Sequence, residues 1–282
     1  MRIVRRHRHG DVEAYELGYS HLGQPFMTVR FYRVGDLLID SGQSRMQPEV
    51  VGLATERPFS RLLLTHHHED HSGNAAAIQG ATGAPVLGHP LCAEKLRGGF
   101  RILPYQELVW GRAAPLEVAP LPEVVEGEGV RLEPIHTPGH SKDLTIFLDR
   151  ERGLLFSGDL YLADRIKYFR ADERIADQIR SLRRAATLDF EGLLCAHRPV
   201  ETGGPERLRR KLGFLEELVG EIARLHARGL GAHAIRRALP QDEVWGTVAF
   251  TLGNVGFIHL VRSTLAAIEA GELEGDRVRD AL

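Results

Sequence analysis

An apolar run, Leu62-Leu63-Leu64, leads into Thr65-His66-His67-His68-Glu69-Asp70-His71-Ser72-Gly73-Asn74. On extended chain, residues two apart project to one side, so the imidazoles of His66 and His68 can reach one cation. The chain then turns, which carries Asp70 and His71 toward a second position. Imidazole nitrogen and carboxylate oxygen without thiolate suit zinc, iron or manganese, so the chemistry in view is that of a bound divalent ion. Three further segments have the same form, an apolar run ending in a polar residue beside Gly, Pro or Ala. They are His136-Thr-Pro-Gly-His140-Ser, Phe156-Ser-Gly-Asp159 and Leu193-Leu-Cys-Ala-His197. A lone His at a strand end is usually a packed structural residue; four such ends, with the dense cluster first, point to a metal centre instead.

The elements that must position these residues are legible from periodicity. Residues 12–17, 26–34 and 36–40 alternate apolar and polar and read as consecutive short strands. Strand then alternates with helix: strand 61–65, helix 74–79, strand 85–87, helix 91–96. Residues 97–128 are irregular, with Gly98-Gly99, several prolines and an acidic tip at 123–128, and read as a loop, lid or surface connection. Strands follow at 130–135, 144–148 and 154–157, then a helix over 173–188 and a strand at 192–196. Beyond Pro199 the character is helical. Leu208, Leu212, Leu215, Val219 and Ile222 form one apolar stripe, and Val255, Ile258, Val261, Leu265 and Ile268 a second. Both read as core packing, with one a candidate homodimer face.

Composition bounds the alternatives. The chain has 282 residues, enough for one large domain or one with an appendage. A net charge of −2 argues against a dedicated nucleic-acid binder. No run of about 20 apolar residues suggests a membrane span, and the basic first nine residues have no apolar stretch behind them, unlike a secretory signal. Cys92 and Cys195 provide no disulfide framework, so a cytoplasmic location is the expectation.

His-x-His-x-Asp-His at 66–71, Thr-Pro-Gly-His at 137–140, Ser-Gly-Asp at 157–159, a strand-end His197 and an early Leu38-Ile-Asp40-Ser-Gly together resemble the metallo-β-lactamase superfamily, over residues 10–200 and in that family's order. The resemblance implies an α+β fold, an αββα sandwich (residues 1–203) carrying a helical C-terminal cap (residues 204–282). It implies two divalent ions, zinc foremost with iron or manganese as alternatives. By motif, His66, His68 and His140 resemble the ligands of the first ion, Asp70, His71 and His197 those of the second, and Asp159 the carboxylate bridging both. His136 matches a frequent non-ligating position, His67 and Glu69 are spacers, and Cys195 reads as a small buried residue.

The implied activity is hydrolysis of a small thioester, ester or lactone by metal-bound hydroxide, whose formation two ions favour by lowering the pKa of a shared water. Asp70 would also be catalytic, aiming that nucleophile. An intact Asp70-His71 pair with Asp159 is closer to glyoxalase II than to the β-lactam-hydrolysing branch. Tyr161, Lys167 and Tyr168 lie near where glyoxalase II holds glutathione, and are candidate substrate contacts. The expected partner is a small acyl molecule, not a membrane or nucleic acid. Two other classes are kept: a ribonuclease of single-stranded RNA, because relatives with helical caps include ribonucleases, and an iron-dependent persulfide dioxygenase. The insertion of the RNA-processing branch would have to fall between Asp159 and His197, which only 37 residues separate.

Overall fold

The structure, a computed structural model, describes residues 1–273. The chain divides into two compact units. The first comprises Met1–His136, Asp143–Asp159 and Asp189–Gly204; the second comprises Thr137–Lys142, Leu160–Leu188 and the described residues 205–273. The second unit is therefore assembled from three stretches, not from the C-terminal helices alone.

In the first unit, β1 (Arg2–His9), β2 (Val12–Tyr19), β3 (Val29–Val34) and β4 (Leu37–Ile39) form an antiparallel meander. The same sheet continues in parallel through β5 (Arg61–Leu63), β6 (Val86–Gly88) and β7 (Ala119–Pro120). Parallel neighbours need crossovers, and these contain α1 (Gln47–Thr55), α2 (Ala75–Thr82), α3 (Pro90–Gly98) and α4 (Pro104–Val109). A second sheet takes β8 (Val125–Gly127), β9 (Val130–His136), β10 (Thr145–Asp149) and β11 (Leu154–Gly158) in antiparallel order, with β12 (Gly192–Cys195) parallel to β11.

Side chains alternate across a strand, and the first sheet uses both faces. Tyr15, Leu17, Phe31 and Leu62 join a core with Val50, Leu53, Ile78 and Leu96 from α1, α2 and α3. Val12, Ala14, Tyr32 and Leu63 join a separate core with Leu132, Phe147, Phe156 and Leu194 of the second sheet. Leu62-Leu63-Leu64 is a continuous apolar run for this reason: a strand covered on both faces has no polar side. The α+β class with two stacked sheets is thus the architecture observed.

Three local expectations need correction. Arg2–His9, read only as a basic segment, is β1, the edge strand, fully registered against β2. Its guanidinium groups defeat the apolar alternation by which strands are recognised, yet Arg2 pairs with Glu49, Arg5 with Glu16 and Arg8 with Glu13. The strand expected from residue 26 starts at Val29, and Phe26 stands exposed. The irregular 97–128 stretch contains α4, β7 and β8.

The second unit contains α5 (Ile175–Ala185), α6 (Gly204–Ala227), α7 (Ala232–Ala238), α8 (Trp245–Phe250) and α9 (Phe257–Glu269). Leu208, Leu215, Val219 and Ile222 of α6 are buried as their spacing requires. On α9 the buried face is Phe257, Leu260, Val261, Thr264 and Ala267, rotated from the stripe read in the sequence. Among the described residues, no helix is long and apolar enough to cross a membrane.

Candidate metal centre

The candidate ligands of the first unit leave the carboxyl ends of strands. β4 delivers Asp40, β5 delivers His66 and the turn behind it, β11 delivers Asp159, and β12 delivers His197. Strand pairing therefore fixes where each side chain starts. The turn at 66–74 is tied down in several places: Ser41 N–H and Oγ–H donate to His71 O (2.7 and 2.8 Å), and Asn74 Nδ2 donates to Ser41 O (2.7 Å). Gly73 is needed here, because a Cβ at that position would meet the Glu69 carbonyl oxygen, the Gly42 carbonyl oxygen and Ser44 N.

Donor atoms of Asp70, His71, Asp159 and His197 lie within 4.8 Å of one another, and all but the partly buried His197 are buried. His71 Nε2 is 3.4 Å from Asp159 Oδ1 and 3.6 Å from Asp70 Oδ2. His197 Nε2 is 3.5 Å from each of Asp159 Oδ1 and Asp70 Oδ2. Beside them His66 Nε2 and His68 Nδ1 face each other at 2.9 Å.

The outer nitrogens decide the protonation of the inner ones. His197 Nδ1 lies 2.7 Å from the carbonyl oxygen of Thr28 and so must carry its hydrogen. His71 Nδ1 lies 2.7 Å from Asp40 Oδ2 and donates to it. Asp40 also accepts from Thr65 N–H (2.8 Å) and Thr65 Oγ1–H (2.9 Å). With its proton spent there, Thr65 Oγ1 accepts from His66 Nδ1 at 3.0 Å. In their neutral form, imidazoles held this way would present an Nε2 lone pair inward from His71 and His197, and from His66 toward His68 Nδ1. For His71 and His197 that lone pair faces two carboxylates, a repulsive arrangement in a buried site unless a cation lies between them. The donor set therefore fits a divalent ion, and outer partners of this type are what orient metal-binding histidines.

The same electrostatics shows in the proton affinities. Burial works against charge on all four groups, but their opposite charges outweigh it. Asp70 is lowered and Asp159 held well below the usual carboxylate range, while His71 is raised well above the usual imidazole value and His197 is pushed up to about 10. A proton or a metal ion is what this pocket is built to hold.

Asp40 sits in the left-handed region, at φ 63°, a conformation that Asp and Asn tolerate better than most residues. Asp40→Asn keeps the backbone but removes an acceptor shared by Thr65 and His71. We expect metal affinity to fall about 10–100-fold with the fold retained, to be read by competition with a chromophoric chelator and by circular dichroism.

His140 lies in the loop of residues 137–142, grouped with the second unit, where its Nδ1 is 3.1 Å from Glu173 Oε1. The candidate substrate residues also fall in that unit. Tyr161 is buried and donates its hydroxyl to Asp164 (2.6 Å), which accepts from Arg207 as well (2.8 Å). Lys167 and Tyr168 are exposed. His136 stacks on His89 with centroids 4.2 Å apart. Cys195 packs in the core; burial pushes its thiol up to about 11, which suits the apolar reading.

Sequence reading missed Asp143. Its buried carboxylate accepts from the backbone N–H of His67 (2.8 Å) and from His67 Nδ1 (2.9 Å), so the supposed spacer is a clamp on the ligand-bearing turn. An Asp three residues beyond the loop residue His140 carries no spacing signal toward a turn 76 residues earlier. Thr65 was missed for a similar reason, since a Thr ending a strand is ordinary.

Residues 33–197 match the profile of the Metallo-beta-lactamase superfamily. The chain belongs to that superfamily. Over 138 residues it is 36% identical to an atrochrysone carboxyl ACP thioesterase of Aspergillus fumigatus, covering 45% of this chain and 36% of that protein. Over 144 residues it is 31% identical to a hydroxyacylglutathione hydrolase of Cereibacter sphaeroides, covering 49% of this chain and 48% of that protein. The match thus spans about half the length of these curated relatives, or less. Among solved structures, a beta-lactamase domain protein from Burkholderia ambifaria superposes with a TM-score of 0.67 at 19% identity, over 96% of this chain and 92% of that one. A metallo-beta-lactamase family protein from Thermus thermophilus gives 0.64 at 21% identity, over 93% and 94%. These two establish likeness of fold.

Proposed function

We propose that the chain is a dinuclear metal-dependent hydrolase of small acyl thioesters, with esters and lactones as secondary substrates. The observation that carries this reading is that Nε2 of His71 and of His197 each face two buried carboxylates, with both rings fixed from outside by Asp40 and the Thr28 carbonyl. Asp70, His71 and His197 would hold one ion and Asp159 would bridge to another held by His66 and His68. His140 joins those two on the strength of its Thr-Pro-Gly-His motif. Two zinc ions in such a site would supply hydroxide at neutral pH and polarise the scissile carbonyl.

The protein's own groups do the rest. Asp70, held ionised by its histidine neighbours, accepts a hydrogen bond from the attacking water and aims it. Asp40 and Thr65 keep the tautomers of His66 and His71 fixed, so no reorganisation is needed during the reaction. A thiolate leaving group departs without a general acid, which suits a centre whose buried titratable groups are committed to binding. Relatives named as a thioesterase and as hydroxyacylglutathione hydrolases support the substrate class. Tyr161, Lys167 and Tyr168 remain proposed substrate contacts.

The test is metal analysis joined to a panel of acyl thioesters, lactones and single-stranded RNA. We expect close to two zinc equivalents per chain and turnover of at least one thioester. Cleavage of RNA alone, or iron with oxygen uptake, would replace the hydrolase reading with one of the alternatives.

A further inference from the structure

Beyond the proposed ligands, two aromatic rings bracket the centre. At one end Phe100 meets His67 edge-on (centroids 4.9 Å apart), and His67 meets His68 (4.8 Å). At the other, His71 meets His197 (6.1 Å), and His197 meets Trp110 (6.3 Å). Phe100 and Trp110 are each partly buried and pack against the core that α1, α2 and α3 help to form. Both come from the stretch between β6 and β7, whose sequence reads as loop or lid.

The Trp110 backbone is fixed in place. Its amide N–H donates to Gln106 O (2.8 Å), and its carbonyl accepts from Arg45 backbone N–H (3.3 Å) and Ser44 Oγ–H (3.4 Å). Gln106 in turn accepts from Leu103 N–H at the start of α4 (2.8 Å). Nearby, Arg45 donates to the Glu107 carbonyl (2.7 Å) and Arg112 pairs with the Glu107 carboxylate (2.8 Å). A half-buried aromatic ring beside reactive groups gains by covering apolar substrate.

We propose that Phe100 and Trp110 are specificity-determining walls, and that the acyl group taken here is extended and apolar, a medium-chain or aromatic acyl rather than an acetyl or hydroxyacyl. This rests on the hydrolase reading and names its substrate class.

The experiment compares octanoyl and acetyl thioesters of N-acetylcysteamine on the zinc-loaded protein. Wild-type protein should prefer octanoyl by about tenfold or more in kcat/KM, mainly through KM. Phe100→Ala and Trp110→Ala should each shrink that ratio severalfold while the metal content stays at two per chain, and Trp110→Phe should keep most of it. A wild-type ratio near one, or a ratio unchanged in both alanine variants, overturns the proposal. Binding is read separately. The chain has two Trp, so Trp245→Phe, at an exposed residue of the other unit, leaves Trp110 as the sole indole emitter. In that background the octanoyl amide analogue should change the emission saturably and the acetyl analogue should not; equal responses, or none, overturn the proposal. If neither thioester is cleaved, the hydrolase reading falls, and this titration still decides the walls.

Discussion

Substituting asparagine for Asp159 is expected to lower kcat/KM for thioester hydrolysis by about a thousandfold and to reduce bound metal from two ions to one. Asp159 is the residue whose loss should be least forgiving, because its Oδ1 approaches both His71 Nε2 (3.4 Å) and His197 Nε2 (3.5 Å). An amide of the same shape removes the charge without opening a cavity, so the effect would be electrostatic. Its strand β11 is held in the sheet by backbone pairing that the substitution does not touch, and the melting temperature of the metal-free protein separates loss of chemistry from loss of fold. Two retained ions with activity within about tenfold of wild type would remove Asp159 from the proposed bridging role.

Metal binding is expected to expel close to two protons per chain near neutral pH, so affinity should rise by about two log units per pH unit. The sign follows from the histidines. Raised above the ordinary value of 6.5, His71 and His197 (the latter to about 10) stay protonated in the folded metal-free protein at pH 7–8. A raised imidazole contributes stability that is fully present below 6.5 and is lost as pH climbs through the folded value. The lowered carboxylates Asp70 and Asp159 contribute stability present above 3.8 and lost as pH falls through their folded values. Metal-free protein should therefore be firmest at mildly acidic pH and soften toward alkaline pH, while the metal-loaded form gains over the same range. The gap between their melting temperatures should widen by on the order of 5 °C per pH unit between pH 6.5 and 8.5. Calorimetry in buffers of differing ionisation enthalpy counts the protons directly; release of fewer than about one would mean that the two imidazoles are neutral before the metal arrives.

The candidate centre was legible because most of its residues sit where strands end, and because the resemblance of their motifs to those of the superfamily implies convergence. What supports those residues was harder to read. Asp40 could be placed in a motif, but its hold on both Thr65 and His71 is a tertiary fact. The pairing of Asp143 with His67 joins segments far apart in sequence. The aromatic brackets lay in a stretch with no periodicity, since α4 is six residues long and starts at a proline. On α9 the aliphatic residues suggested one face, yet Thr264 and Ala267 are buried and Leu265 and Ile268 only partly so, because helix packing there selects small residues as much as apolar ones. β1 escaped notice because its composition is that of a solvated tail.

That composition has a use. β2 is buried along nearly its whole length, and as an outermost strand it would offer open backbone amides and carbonyls to any other extended chain. β1 takes that position instead, and its outward rim bears arginines whose charges are matched within the fold yet stay hydrated. Such a border discourages sheets of neighbouring molecules from joining edge to edge, so the residues that look least structural in this sequence act as its guard against aggregation.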